Sequence, residues 1–291
     1  MAGRSSARTP TGATAPRRSS SVGTEFMPEY SRYLALGDSQ TEGLWDGDDT
    51  TGVRGWADRS AEHLAATNPV VAYANLAVRG LRAHQIRETQ LDAALALKPD
   101  IATVVAGMYD LIRPSYDADA VTADLEVMFK ALRESGAVVA TCTFPDVGRI
   151  APLAKPLRGR VIDLNERIRR LARQYDVHVL DAEPHAAVTD ARIWASDRLH
   201  ANSLGHQRIA AGMAEAVGLP GFDDAWTRPL PPAAPQRLHD RMIVETRWLA
   251  GFFGPWIVRR VRGRSSADGR VAKRPELAPV DVAPGFDTGL A

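Results

Sequence analysis

The chain has 291 residues, 45% of them hydrophobic, which is enough for one substantial core, and 36 Lys and Arg against 35 Asp and Glu leave a net charge of +1. That balance gives no electrostatic case for a nucleic-acid partner. The single cysteine, Cys142, excludes an internal disulfide and a cysteine metal cluster.

Residues 1–30 mix Arg4, Arg8, Arg17 and Arg18 with Ser, Thr, Ala, Gly and Pro. They lack the apolar stretch of a signal peptide and are too polar to form a core. No later run reaches the ~18 uninterrupted apolar residues of a membrane-spanning helix. A disordered basic tail and a cytoplasmic location are therefore expected. Met27, just ahead of the first predicted strand, is read as a candidate true start.

From there strands and helices alternate. Arg32–Gly37, Val70–Leu76, Asp100–Gly107, Ala137–Phe144 and Val177–Asp181 are rich in Val, Ala, Ile and Leu without regular polar alternation. That is the pattern of strands covered on both faces. Helical patterns cover Trp56–Ala66, His84–Ala96, Ala118–Glu134, Leu157–Tyr175 and Ser203–Val217. Asp117 and Gly136 bracket the third of these as start and stop, and Asn68-Pro69 and Lys98-Pro99 break the chain before two of the strands. The order predicts an α/β domain over residues 31–220. Its form would be a three-layer α/β/α sandwich around a doubly wound five-stranded parallel sheet, with any chemistry at the carboxyl ends of the strands. Cys142, inside the fourth run, is expected to be a buried small hydrophobe.

After Leu219-Pro220-Gly221 the texture changes. Residues 221–262 read as a Pro-rich linker and a C-terminal helical extension over Arg237–Leu249, and residues 263–291 as a basic, flexible tail. Trp248, Phe252, Phe253 and Trp256 lie near Arg247, Arg259, Arg260, Arg262 and Arg264. Three roles stay open for this segment: packing on the α/β body, covering a site entrance, or lying on an anionic membrane surface.

Two short segments carry chemistry. Gly37-Asp38-Ser39-Gln40-Thr41-Glu42-Gly43 follows the first strand directly, so Ser39 can present its hydroxyl at the sheet edge. A serine there needs a positioned base to be a nucleophile; alternatively Asp38-Ser39 only caps the next segment. Asp197-Arg198-Leu199-His200 follows the fifth strand, and its spacing lets the carboxylate hold the imidazole from within one loop. Its plainer reading is a surface Asp–His contact. Asp38 and Asp110 are read as local acceptors for backbone N–H groups that line the site rather than as proton carriers. The remaining histidines show no ligand spacing, so neither metal nor cofactor is implied.

Together the two segments resemble the SGNH hydrolases, also called GDSL-like lipases, over Tyr33 to Leu219. The first block matches, Asn75-Leu76-Ala77-Val78-Arg79-Gly80 fits the second with Gly80 as its glycine, and Asp197 with His200 matches the last. The resemblance implies a flavodoxin-like sheet and a serine esterase or acylhydrolase acting on a small-molecule ester: a lipid ester, acetylated sugar or thioester. Ser39 would be the nucleophile, His200 the base, Asp197 its orienter, and the Ser39 and Gly80 N–H groups the oxyanion hole. The third block departs: where the family has Gly-x-Asn-Asp, this chain has Gly107-Met108-Tyr109-Asp110. Three readings stay open. Tyr109 points away and leaves a two-donor hole; Arg79 or Arg113 supplies the third donor; or the fold is a weak or inactive binding module, with membrane association through the C-terminal basic aromatic segment.

Overall fold

The computed structural model describes residues 30–232, 251 and 266–281. The tail over 1–29, the helix expected over 237–249 and the basic cluster over 259–264 lie outside the described residues.

Strands β1 (Arg32–Gly37), β2 (Ala72–Asn75), β3 (Ile101–Val105), β4 (Val138–Cys142) and β5 (His178–Leu180) fall within the five predicted runs. They pair in parallel in the order β5-β4-β3-β1-β2. Every residue of β3 is buried, as is all of β1 beyond Arg32, which explains why neither alternates.

Between the strands lie α1 (Ser39–Glu42), α2 (Trp56–Thr67), α3 (Ala83–Ala96), α4 (Met108–Leu111), α5 (Ala118–Glu134), α6 (Val147–Ile150), α7 (Arg158–Tyr175) and α8 (Ser203–Ala216). The long helices bury one stripe each: in α5 it is Val121, Leu125, Met128, Phe129 and Leu132. Asp117 opens α5 as expected, accepting from the N–H groups of Asp119 and Ala120 at 2.9 and 3.1 Å. α2 packs with α8, while α5 packs with both α3 and α7, giving a helical layer on each face of the sheet. Among the described residues no helix is long and apolar enough to cross a membrane.

The sheet has one strand more than predicted. β6 (Arg274–Pro279) adds antiparallel to β2 at its edge, with Ala72 opposite Pro279 and Asn75 opposite Arg274. This corrects the flexible-tail reading for residues 274–279. Arg-Pro-Glu-Leu-Ala-Pro offers no apolar run, and proline removes ladder donors, so the segment does not read as a strand. An edge position tolerates both features. Side chains fasten it: Arg274 Nε donates to Tyr73 O at 2.8 Å, Lys273 Nζ reaches Asp58 at 2.6 Å, and Arg270 pairs with Asp49 at 2.8 Å.

The chain runs from β1 to β2 on one side and then returns to build β3, β4 and β5 on the other. Order reverses between β1 and β3, and a crevice opens outside their carboxyl ends.

Candidate active site

Ser39 owes its position to the end of β1. There Gly37 is gripped by a buried carboxamide from α3: its N–H donates to Gln90 Oε1 and its carbonyl accepts from Gln90 Nε2, both at 2.9 Å. A side chain is excluded at Gly37, since a Cβ would stand 2.3 Å from Thr41 Oγ1 and 2.7 Å from Val105 O. Asp38 then caps α1, accepting from Gln40 N at 3.2 Å, as the sequence suggested. Ser39 is thus the first residue of a single helical turn standing on the sheet edge.

His200 comes from the loop between β5 and α8. Trp194 and Ala201 form an isolated bridge, Ala195 N donates to His200 O at 2.8 Å, and Arg198 turns the tip with φ 59°. Asp197 Oδ1 accepts from Leu199 N at 3.0 Å and His200 N at 3.1 Å, while its Oδ2 meets His200 Nδ1 at 2.6 Å. On the other side of the ring, His200 Nε2 lies 2.7 Å from Ser39 Oγ. Burial would raise the Asp197 carboxyl, but the His200 ring and the two loop N–H groups outweigh it and hold the group below its ordinary value. The structure therefore brings together three side chains that sequence separates by up to 161 positions.

Gln40 ties the two segments together. Its Nε2 donates to Leu199 O at 3.1 Å and its Oε1 accepts from Ala201 N at 3.2 Å, so one amide grips the backbone on both sides of His200. The sequence reading missed this role.

Gly80 is buried, with φ 81°, on the wall of the same cavity as Ser39. Its neighbour Arg79 is tied back to α1: Arg79 N donates to Glu42 Oε2 at 2.7 Å, Nε to Glu42 Oε1 at 2.9 Å, and Nη2 also meets Asp49 at 3.0 Å. These pairings occupy the guanidinium that was one candidate for a third donor. Tyr109 is half-buried and lines the cavity, with the Arg113 guanidinium carbon 4.5 Å from its ring centroid. Asp110 braces the adjoining turn by accepting from Ala83 N at 2.9 Å. Burial raises the carboxyl groups of both Asp110 and Asp38, the latter to about 6.

The cavity has a volume of about 1250 Å³. Its lining includes Ser39, His200, Gly80 and Tyr109 together with the apolar Phe144, Val147, Ile150, Leu153, Leu157 and Val188. Asn165 holds the strand end beneath it as Gln90 does on β1, exchanging two 2.8 Å hydrogen bonds with the backbone of Phe144. Cys142 also lines the cavity, and burial pushes its thiol up to about 12, so it is protonated and no nucleophile. His206 is a cross-link: Nδ1 accepts from Trp56 N at 3.1 Å and Nε2 donates to Leu44 O at 3.0 Å. Burial drives it down to about 4, which keeps it neutral. Among the described residues no group of three or more His, Cys, Asp or Glu is gathered as a metal site.

Known structures share this arrangement of sheet and helices. LAE5, an alpha/beta hydrolase enzyme from the metagenome of Lake Arreo, Spain, is 20% identical at a TM-score of 0.55, covering 65% of this chain and 95% of its own. TesA is 19% identical with a TM-score of 0.54, covering 65% and 98%. Axe2, an acetylxylan esterase from Geobacillus stearothermophilus, is 18% identical with a TM-score of 0.54, covering 68% and 96%. At such identities the likeness is one of fold. No curated protein matches the chain. The profile of the GDSL-like Lipase/Acylhydrolase family matches residues 35–208, well over half of the sequence, and this chain belongs to that family.

Proposed function

We propose that this protein hydrolyses a carboxylic ester through an acyl-enzyme on Ser39. The observation that carries the reading is the continuous contact from Ser39 Oγ through the His200 ring to Asp197, at 2.7 and 2.6 Å, opening into a large cavity. Membership of a lipase and acylhydrolase family supports the reaction class.

Ser39 Oγ attacks the carbonyl carbon while its proton passes to His200 Nε2. The tetrahedral oxyanion lies against the N–H groups of Ser39 and Gly80. When the intermediate collapses, His200 returns the proton to the departing alkoxide, leaving the acyl group on Ser39. Water then attacks with His200 again as base, and the acid leaves as Ser39 Oγ regains its proton. Asp197 fixes the ring tautomer and stabilises the imidazolium without taking the proton. The apolar wall around Phe144, Ile150 and Leu153 suits the hydrocarbon part of a lipid ester or thioester more than an acetylated sugar.

A second reading, a binding protein with little turnover, is favoured by Tyr109 standing where the family carries its asparagine donor. A fluorophosphonate probe separates the two. Labelling of the native protein and none of Ser39→Ala supports the esterase; no labelling of either defeats it. A series of p-nitrophenyl esters from acetate to palmitate then sizes the acyl site.

A further inference from the structure

The arginines that line the cavity differ in what neutralises them. Arg79 is held by Glu42 and Asp49, and Arg270 by Asp49. Arg82 and Arg113 line the same cavity, half-buried, and neither has a carboxylate oxygen within 4 Å among the described residues. The contact made by the Arg82 guanidinium is with the ring nitrogen of His84, at 3.2 Å. The Arg113 guanidinium stacks on Tyr109, and its buried Nε has no hydrogen-bond partner. One acid, Asp110, lies within electrostatic reach of both, and it already accepts from Ala83 N.

Arg113 is also held in place. Arg160 Nη1 donates to Leu111 O at 3.2 Å and to Arg113 O at 2.7 Å, which fixes the backbone that carries it. A half-buried guanidinium with no carboxylate in direct contact is less well compensated than a paired one. One carried on a fixed backbone, resting on an aromatic face in the same cavity as Ser39, suits an anion that arrives with the substrate.

We propose that Tyr109, Arg113 and Arg82 form an anion subsite, so that the ester cleaved at Ser39 carries a carboxylate or phosphate group on the part lying along Tyr109. This rests on the esterase reading and adds the substrate's charge to it. The planar fork of a guanidinium fits either oxyanion in a bidentate manner. It also gives the departure at position 109 a use: the residue that no longer matches the family's oxyanion donor becomes the platform for Arg113.

The test compares three p-nitrophenyl esters of similar length: the adipate with a free carboxylate, its neutral methyl ester, and a 6-phosphohexanoate. At least one charged ester is expected to exceed the neutral one in kcat/KM by roughly ten-fold or more, the size of a charge-assisted contact. The better of the two names the anion. In Arg113→Gln the charged-to-neutral ratio should fall about ten-fold and in Arg82→Gln by a smaller factor, while Arg149→Gln, at an exposed arginine outside the cavity, leaves it unchanged. A neutral ester cut as fast as both charged ones, or a preference that survives Arg113→Gln, overturns the proposal. Binding to Ser39→Ala by calorimetry keeps the two readings apart. Monomethyl adipate held about ten-fold more weakly after Arg113→Gln supports the subsite even if no ester is turned over, and equal affinity overturns it even if esters are cut.

Discussion

Asp38 offers the sharpest test of how this site is held. Its carboxyl is buried beside Ser39, accepts one backbone N–H from Gln40, and faces His200 and the like charge of Asp110. Burial is the largest influence and lifts it from 3.8 to about 6. A carboxyl raised on folding binds its proton more tightly in the folded state. The stability it contributes is therefore full below pH 3.8 and is lost as pH climbs through about 6. Across that window the loss amounts to about 3 kcal/mol, at 1.36 kcal/mol per pH unit. Asp38→Asn keeps an acceptor for Gln40 and removes the titration. Urea unfolding should then find the variant more stable than the native protein by about 3 kcal/mol at pH 7.5, with less than about 1 kcal/mol of that gain remaining at pH 4. Any fixed offset from the new amide cancels in the comparison. A stability difference that stays flat from pH 4 to pH 8 would refute a buried, ionised Asp38. The same charge lies where it steadies a protonated His200, so the stabler variant is also expected to show several-fold lower kcat at pH 8.

Three further outcomes follow from named contacts. Gln40→Ala frees the backbone at Leu199 and Ala201, and kcat should fall roughly ten- to hundred-fold with little change in KM, as expected for a base displaced by fractions of an ångström; a fall in thermal stability alone would deny it that positioning role. Gln90→Leu strands the N–H of Gly37 in the core and leaves its carbonyl only the 3.4 Å contact from Val78 N, which should cost about 2 kcal/mol in denaturant unfolding. Tyr109→Asn restores a carboxamide at the third-donor position and should raise kcat on p-nitrophenyl acetate by about ten-fold or more; an unchanged rate would mean that another group already completes the oxyanion hole.

The layers of the fold were legible because strand burial and helix period leave plain marks. The five apolar-rich runs without polar alternation and the stripe Val121-Leu125-Met128-Phe129-Leu132 each declare an element and the face it hides. β6 left no such mark: an edge strand needs a neighbour more than a pattern, and the backbone of Tyr73 supplies what Arg-Pro-Glu-Leu-Ala-Pro does not. Ser39, Asp197 and His200 were legible because a serine directly after a strand and an Asp-x-x-His loop are residue types that can meet in one hydrogen-bonded row, and the structure places them in contact. The groups that hold them were not, although a faint signal existed. Gln90 stands at a core position of α3, in step with Ile86 and Ala94, and Asn165 sits among Val161, Leu164 and Ile168 on the buried stripe of α7. A carboxamide in such a place is unfavourable unless it meets a backbone N–H and a carbonyl, and the ends of β1 and β4, where ladder pairing stops, present both. The two amides close the strand ends that form the floor of the cavity. A polar residue on the hidden face of a crossover helix thus points, from the amino-acid pattern alone, to the strand end it serves. In a doubly wound sheet that pointer leads to the carboxyl edge, where Ser39 stands.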